Sequence, residues 1–179
     1  MEPLQIAQSL SYHFPEEIIA TASHCGQVSV SVRRGKIVQI LRYLKQTEEL
    51  QFDHLNDLCG VDYMGRAGDR FEVVYNLYSI KHGHFIRIRA HVPEADCRIR
   101  SVVELWVGAN WHERECFDMY GISFDGHPDM RRVLMPEDWE GHPLRKDYPL
   151  QGPGPEGEWK GFKEVLERSE RLKEFQWNK

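Results

Sequence analysis

Two short segments with the same pattern hold many of the side chains that could do chemistry. Residues 124–128 and 139–143 each read aromatic, acid, Gly, His, Pro, and they lie fifteen positions apart. Because Gly allows a positive φ and Pro favours an extended conformation at the preceding His, we predict two rigid turns, each presenting an imidazole. Each turn is soon followed by a basic pair, so that the motif residues are His127, Arg131, Arg132, His142, Arg145 and Lys146.

Three uses of these turns are chemically reasonable. The cations could bind phosphate, but no Gly-rich strand-to-helix loop is present to supply backbone amides. The imidazoles could be catalytic, but no nucleophile and base are evidently paired with them. The turns could instead lie at a protein interface, where Arg, Trp and Tyr are the usual anchors. The residue types favour the interface.

A second group of reactive side chains precedes the turns. His112 and Cys116 are four residues apart on a predicted helix, and with Glu113 they are similar to the HExxH zinc motif. Cys replaces the second His, and no third ligand follows nearby, which disfavours a stand-alone zinc enzyme. The same helix carries Arg114, Glu115 and Asp118, and we predict that these charges, with Asp147 further on, also belong to the interface.

The elements that position these groups follow from hydrophobic periodicity. Residues 101–106 are predicted as a short helix with Ser101 as its N-cap and Glu104 as the partner in a capping box. Gly121 is predicted to close the motif helix. The other predicted elements are helices 3–13, 36–46 and 110–120, strands 17–23, 27–32, 70–80 and 84–92, an extended segment 52–63 and a loop 93–99.

This order predicts an α+β fold, with a mixed or antiparallel sheet packed against two or three helices. We expect a globular domain over residues 1–121 and a loop region over 122–150. Residues 151–179 begin with a Gly/Pro linker, and they continue as a charged segment with scattered apolar residues. This last part is predicted to be a C-terminal arm, which either remains a tail or orders on a partner.

Composition narrows the class of protein. The 179 residues include 23 Lys and Arg against 28 Asp and Glu, and the net charge of −5 disfavours nucleic acid as a partner, although the basic pairs keep an anion- or RNA-binding module as an alternative. No apolar run approaches the roughly 20 residues of a membrane-spanning helix. The four Cys form no CxxC pair, which argues against an iron–sulfur cluster or a zinc knuckle.

The motif segment as a whole resembles one known family. The chain is similar to the C-subunit, or 30 kDa subunit, family of NADH–quinone oxidoreductase, respiratory complex I. The segments that carry the similarity, in this order, are residues 113–115, 118–121, 126–128, 131–134 and 141–149. The resemblance extends over roughly residues 1–150, because the order of strands and helices before the motif is also similar. Cys116 departs from the aliphatic residue expected at its position.

The resemblance implies a non-catalytic scaffold subunit in the peripheral arm of a proton-translocating enzyme. Such a subunit binds no cofactor itself; NADH, FMN, iron–sulfur clusters and quinone lie on other subunits. It packs on the D-type (49 kDa) subunit and other peripheral-arm subunits, on the cytoplasmic side of the bacterial inner membrane. The resemblance leaves open an equivalent subunit of a membrane-bound hydrogenase or of the photosynthetic relative of complex I.

Overall fold

The computed structural model describes residues 2–150 and 167–168. Its strands are β1 (Ile18–His24), β2 (Gln27–Arg33), β3 (His54–Asp62), β4 (Phe71–Tyr78), β5 (Phe85–Val92), β6 (Arg98–Arg100) and β7 (Ser123–Asp125). Its helices are α1 (Pro3–His13), α2 (Ile37–Gln46) and α3 (Ala109–Tyr120). The predicted α+β class is confirmed.

The first five strands form one mixed sheet in the order β1-β2-β5-β4-β3. Within this sheet β2 and β5 run parallel, while the other neighbouring strands are antiparallel. A separate parallel pair joins β6 to β7, so that Ile99 lies opposite Phe124. Ile122 and Phe124 are buried in the same core as the large sheet, although they belong to the segment that follows α3.

The alternation along β5 shows how the sheet separates its two faces. Ile86, Ile88 and Ala90 are fully buried, whereas Arg87 and Arg89 point to the opposite, half-exposed face. On that face Arg87 donates to Asn76 and Arg89 donates to Glu72. The buried face packs against the apolar sides of α1 and α2, and each fully buried aliphatic side chain contributes about 1.5–3 kcal/mol.

Helix α3 packs against β3 with a very short separation. A Cβ atom at Gly60 of β3 would lie 2.6 Å from Cδ2 of Tyr120, so only glycine fits beside this ring. At the end of α3 Gly121 has φ +74°, and its N–H donates to the carbonyl of Phe117. The predicted closure of the helix by Gly121 is therefore confirmed.

Two predictions of local structure were wrong. Residues 101–106 form turns and not a helix: Ser101 accepts the N–H of Val103 as an N-cap would, but the carbonyl of Val102 accepts both Leu105 and Trp106, so that only a single turn closes. Glu104 is exposed and lies 3.8 Å from Arg42, so it forms no capping box. The predicted loop 93–99 contains the start of β6, which pairs with β7. The predicted linker and arm, residues 151–179, lie outside the described residues apart from 167–168.

Candidate functional site

The carboxylate of Asp118, in the last turn of α3, is the centre of the motif region. Asp118 is fully buried, and its Oδ2 accepts the N–H groups of Val133, Leu134 and Met135 at 3.0, 2.8 and 2.8 Å. Its Oδ1 accepts from Arg132 at 2.6 Å. Burial alone would raise the pKa of Asp118, yet these donors lower it below its ordinary value. Asp118 is thus held as an anion that fixes the segment after the first turn.

The second Gly-His-Pro turn covers the carboxyl end of α3. His142 donates from Nδ1 to the carbonyl of Asp118 at 2.9 Å, and Arg145 donates from Nε to the carbonyl of Tyr120 at 2.6 Å. Nη2 of Arg132 donates to the carbonyls of Trp139 and Gly141 at 2.9 and 3.0 Å. His142 and Arg145 thus satisfy two carbonyl groups that the end of α3 leaves unpaired, while Arg132 binds carbonyl groups of the turn itself.

The first Gly-His-Pro turn lies beside the beginning of α3. His127 donates from Nε2 to the carbonyl of Asn110 at 3.2 Å, and its Nδ1 accepts the N–H of Asp129 at 3.0 Å. Arg114 donates to the carbonyls of Arg131 and Arg132 at 3.1 and 3.0 Å. Both turns are therefore attached to the same helix, one near each end.

The predicted glycine conformations are confirmed, since φ is +87° at Gly126 and +82° at Gly141. Each turn was predicted to present an imidazole, and in the structure both imidazoles are directed toward α3. His127 and His142 both donate to main-chain carbonyls of α3, and burial is the largest cause that lowers the pKa of His142. A ring with a lowered pKa stays neutral near pH 7, which suits its role as a donor to a carbonyl.

A third cluster attaches the end of the loop to the sheet. Arg70 donates to both oxygens of buried Asp62 at 3.1 and 3.0 Å and to Asp147 at 2.7 and 3.0 Å. The main-chain N–H of Lys146 donates to Asp62 at 2.8 Å. Although burial opposes it, the bonds from Arg70, Lys146 and Met64 lower the pKa of Asp62 to about 2. Asp147 thus pairs with Arg70 within the chain, although Asp147 and Lys146 are both exposed.

The interface candidates therefore fall into two groups. Internal contacts engage Glu113, Arg114, Asp118, His127, Arg132, His142, Arg145 and Asp147. Glu115, Arg131 and Lys146 are exposed, and Arg131 pairs with neighbouring Asp129 at 2.7 Å. Arg70 was missed from the sequence, because a single Arg at the start of a predicted strand carries no signal of a partner 77 residues away.

The three residues of the possible zinc motif have separate surroundings. His112 lies 3.6 Å from Asp57, whereas Glu113 accepts the N–H of Val102 at 2.7 Å. Cys116 is buried, and burial is the largest cause that raises the pKa of its thiol, while a zinc ligand must be a thiolate. Within residues 2–150 and 167–168 no three His, Cys, Asp or Glu side chains are grouped so that they could hold a metal ion.

The comparisons with known proteins agree on one family. The family described as "Respiratory-chain NADH dehydrogenase, 30 Kd subunit" matches residues 30–154. The C-type subunit of NADH-quinone oxidoreductase from Geobacter sulfurreducens is 51% identical over 144 residues, which cover 80% of this chain and 88% of the relative. The corresponding protein of Roseiflexus castenholzii is 52% identical over 136 residues, which cover 76% and 78%.

Solved structures with the same fold also match. A trypsin-resistant fragment of Nqo5 superposes with a TM-score of 0.64 at 30% identity, and the match covers 72% of this chain and 99% of the fragment. A chain of an archaeal membrane-bound sulfane sulfur reductase superposes with a TM-score of 0.70, covering 100% of this chain and 98% of that chain. At 20% identity, this second match shows a shared fold alone.

In the part of the chain that the structure describes, no helix is long and apolar enough to cross a membrane. The family predicted from the motif residues is confirmed by matches that extend over most of the chain. This chain belongs to the family of the 30 kDa subunit of respiratory-chain NADH dehydrogenase, and the relatives that it matches over most of their length are C subunits of NADH-quinone oxidoreductase.

Proposed function

We propose that this chain is a non-catalytic scaffold subunit of the peripheral arm of a proton-translocating NADH–quinone oxidoreductase. It supports the quinone-reducing module by packing on the D-type subunit, at the cytoplasmic side of the bacterial inner membrane. The observation that carries this proposal is the use of the motif side chains, because the charged and imidazole groups of the two turns bind α3 and the sheet. Groups bound in this way build a rigid surface and are not free to react with a substrate.

The arrangement of the potential acids and bases supports a structural role. A general base needs a free lone pair within reach of a substrate proton. Both ring nitrogens of His127 are hydrogen-bonded within the chain, and His142 donates from Nδ1 to a helix carbonyl. Asp118 and Asp62 have lowered pKa values and accept from several donors, so neither is an effective base near neutral pH.

The outer side of the motif region supplies side chains suited to an interface. Trp111 is 63% exposed near the start of α3, and the guanidinium of Arg114 lies 4.9 Å from the centre of its ring. Glu115 is exposed on the same helix. Trp and Arg are enriched among residues that dominate binding energy at interfaces. We assign Trp111, Arg114 and Glu115 to the contact with the D-type subunit.

The test compares two exposed aromatic residues in the assembled enzyme. Tagged chains carrying Trp111→Ala or Tyr12→Ala would replace the native subunit, and the D-type subunit retained after capture would be measured. Tyr12 is 83% exposed on α1, away from the motif, and it serves as the matched control. We expect Trp111→Ala to reduce the captured D-type subunit roughly tenfold or more, as for an interface anchor, with no effect of Tyr12→Ala.

Equal capture by the two variants would contradict the assignment of the docking surface. Reduction of quinone by the purified chain alone, with NADH as donor, would contradict the non-catalytic role. The electron donor used by the captured complex distinguishes the respiratory enzyme from a hydrogenase-type relative. The proposal requires that NADH, and not hydrogen, drives quinone reduction.

A further inference from the structure

The two edges of the five-stranded sheet differ in how they are covered. Strand β3 forms one edge, and helix α3 packs against it. Strand β1 forms the opposite edge, and in the part of the chain that the structure describes β2 is its only neighbouring strand. Residues 19–24 of β1 are all exposed, and Ile19 is 52% exposed. The outer side of β1 is therefore an open sheet edge.

The ladder between β1 and β2 determines which main-chain groups face this open edge. The N–H of Arg33 on β2 donates to the carbonyl of Glu17 at 2.9 Å. Because this direction alternates along a strand, the N–H of Ser29, four positions earlier, also faces β1. Ser29 lies opposite Ala22, so Ala22 is hydrogen-bonded to β2. The two neighbours of Ala22 therefore direct their N–H and C=O groups away from β2.

These two neighbours, Thr21 and Ser23, present alternating donors and acceptors to the open edge. A bulge between Ile18 and Ala20 interrupts the register before them, and the ladder is regular from Ala20 to His24. This regular stretch is roughly 17 Å long at the rise of an antiparallel strand. A row of N–H and C=O groups with this spacing is matched by the main chain of another extended strand.

The side chains of β1 do not prevent such pairing. Edge strands that remain unpaired usually carry charged residues or Pro, which block the approach of another strand. The stretch Ile18–His24 contains no Lys, Arg, Asp, Glu or Pro. Ala20 and Ala22 are small, so they leave room on their face of the sheet for larger side chains of a neighbouring strand. The edge is thus chemically suited to accept a further strand.

The small size of these side chains also indicates the kind of partner. Two separate proteins that associate stably bury about 1,200–2,000 Å². A short strand dominated by Ala, Thr and Ser buries little of this area, so two copies of the chain joined along β1 would lack most of the contact that a stable dimer needs. A strand that other contacts already hold beside this chain needs much less, because its effective concentration is high. Neighbouring subunits of one enzyme meet this condition.

We propose that another subunit of the oxidoreductase adds an extended strand to β1 through the main-chain groups of Thr21 and Ser23. This inference rests on the proposed assembly of the chain into that enzyme. The contact lies at the opposite edge of the sheet from β3 and α3, so it is separate from the surface assigned to the D-type subunit. Because β1 offers no charge to pair with, the added strand is uncharged, with β-branched or aromatic side chains beside Ala20 and Ala22.

Hydrogen–deuterium exchange at single amides tests the pairing without any substitution. The tagged full-length chain would be measured alone and within the enzyme captured from solubilised membranes. We expect the amides of Thr21 and Ser23 to exchange roughly tenfold or more slowly in the enzyme than in the free chain. The amides of Ala20 and Ala22, which are bonded to β2, are the control within the same strand and should be protected in both states.

The possible results separate this inference from the proposed function. If the enzyme is captured but Thr21 and Ser23 exchange as rapidly as in the free chain, the strand pairing is overturned and the scaffold role is not. Capture of no other subunit would overturn both. Protection in the purified chain would overturn the assignment to another subunit. Protection that rises with concentration would indicate a second copy, and protection at every concentration would indicate a segment of the same chain.

Two substitutions at Thr21 distinguish the main chain from the side chain. Thr21→Pro removes the outward N–H, and an edge strand tolerates Pro where the N–H faces solvent. Thr21→Val removes only the hydroxyl group and is the matched control. In the captured enzyme we expect the Ser23 amide to lose its protection with Thr21→Pro and to keep it with Thr21→Val. An equally protected Ser23 amide in both would overturn the pairing, and the wild-type measurement decides if Thr21→Pro does not fold.

Discussion

Helix α3 buries two carboxyl groups completely, Glu113 in its second turn and Asp118 in its last turn, and the two groups differ in the donors that they receive. Asp118 receives three main-chain N–H groups and an Arg, so its pKa is lowered although burial acts against this. Glu113 accepts one main-chain N–H, that of Val102, and burial raises its pKa to about 7. The supply of donors, and not the degree of burial, decides whether a buried carboxyl group carries a charge or a proton.

The largest loss of stability is expected from a change at Asp118, the charged carboxyl group in the last turn of α3. Asp118→Ala leaves Arg132 and three N–H groups without their acceptor, and we expect a loss of about 3–5 kcal/mol in the free energy of unfolding. Urea denaturation of the purified chain measures this loss. Asp129→Ala is the control, because Asp129 pairs with exposed Arg131, and it should cost less than about 1 kcal/mol. Similar losses for the two variants would show that the buried contacts of Asp118 stabilise the chain no more than an exposed ion pair does.

The raised pKa of Glu113 predicts that the free energy of unfolding depends on pH. The pKa of Glu113 is raised from 4.5 to about 7 in the folded chain, so the folded state binds the proton more tightly than the unfolded state. This contribution is fully present below about pH 4.5 and is lost as pH rises to about 7, by about 3 kcal/mol. Urea denaturation at several pH values across this range gives the free energy of unfolding of the wild type and of Glu113→Gln. The difference between the two should change with pH. Parallel curves would contradict the raised pKa.

The carboxyl end of α3 also depends on Arg145, which donates to the carbonyl of Tyr120 and lies 5.1 Å from the centre of the Phe71 ring. We expect Arg145→Ala to reduce the free energy of unfolding by about 1.5–3 kcal/mol, because a charge-assisted hydrogen bond is lost. It should weaken assembly of the complex more than it alters any chemistry of the isolated chain. Full assembly with unchanged quinone reductase activity would show that this end of the helix tolerates the loss.

A smaller loss of stability is expected from a change at Gly60, where α3 contacts the sheet. Gly60→Ala introduces a Cβ atom 2.6 Å from the Tyr120 ring, and we expect a cost of about 1–3 kcal/mol from overpacking. Gly35→Ala is the matched control, since a Cβ atom there meets nothing within 4 Å. Thermal unfolding of the two variants gives the comparison. If Gly60→Ala is as stable as Gly35→Ala, the close packing between Tyr120 and β3 is not required.

Strong periodicity allowed the main helices and strands to be predicted from the sequence. Helix α2 and strand β5 are examples, because their apolar residues repeat with the spacing of one buried face. The turn at residues 101–106 was predicted wrongly as a helix, because the N-cap signal at Ser101 is present and forms its bond to Val103, yet only a single turn follows it. The pairing of β6 with β7 also joins short segments that carry no periodic signal.

The motif residues themselves were identified from the sequence, but their contacts were not. Residue type does not distinguish an interface charge from an internal one, and both roles are open from the sequence alone for Arg132, Arg145 and Asp147. The contacts depend on the path of loop 126–150 over α3, which brings Asp147 to Arg70 across 77 residues. Such separations are set by tertiary structure and not by any local pattern.

The central claim is that this chain supports a redox enzyme and has no redox activity of its own. Affinity capture of the tagged chain from gently solubilised source membranes tests it most directly. We predict that NADH–quinone reductase activity and iron–sulfur absorbance are captured with the chain, while the chain purified alone is colourless and inactive. A chain recovered without these activities, or a purified chain that itself reduces quinone, would contradict the account.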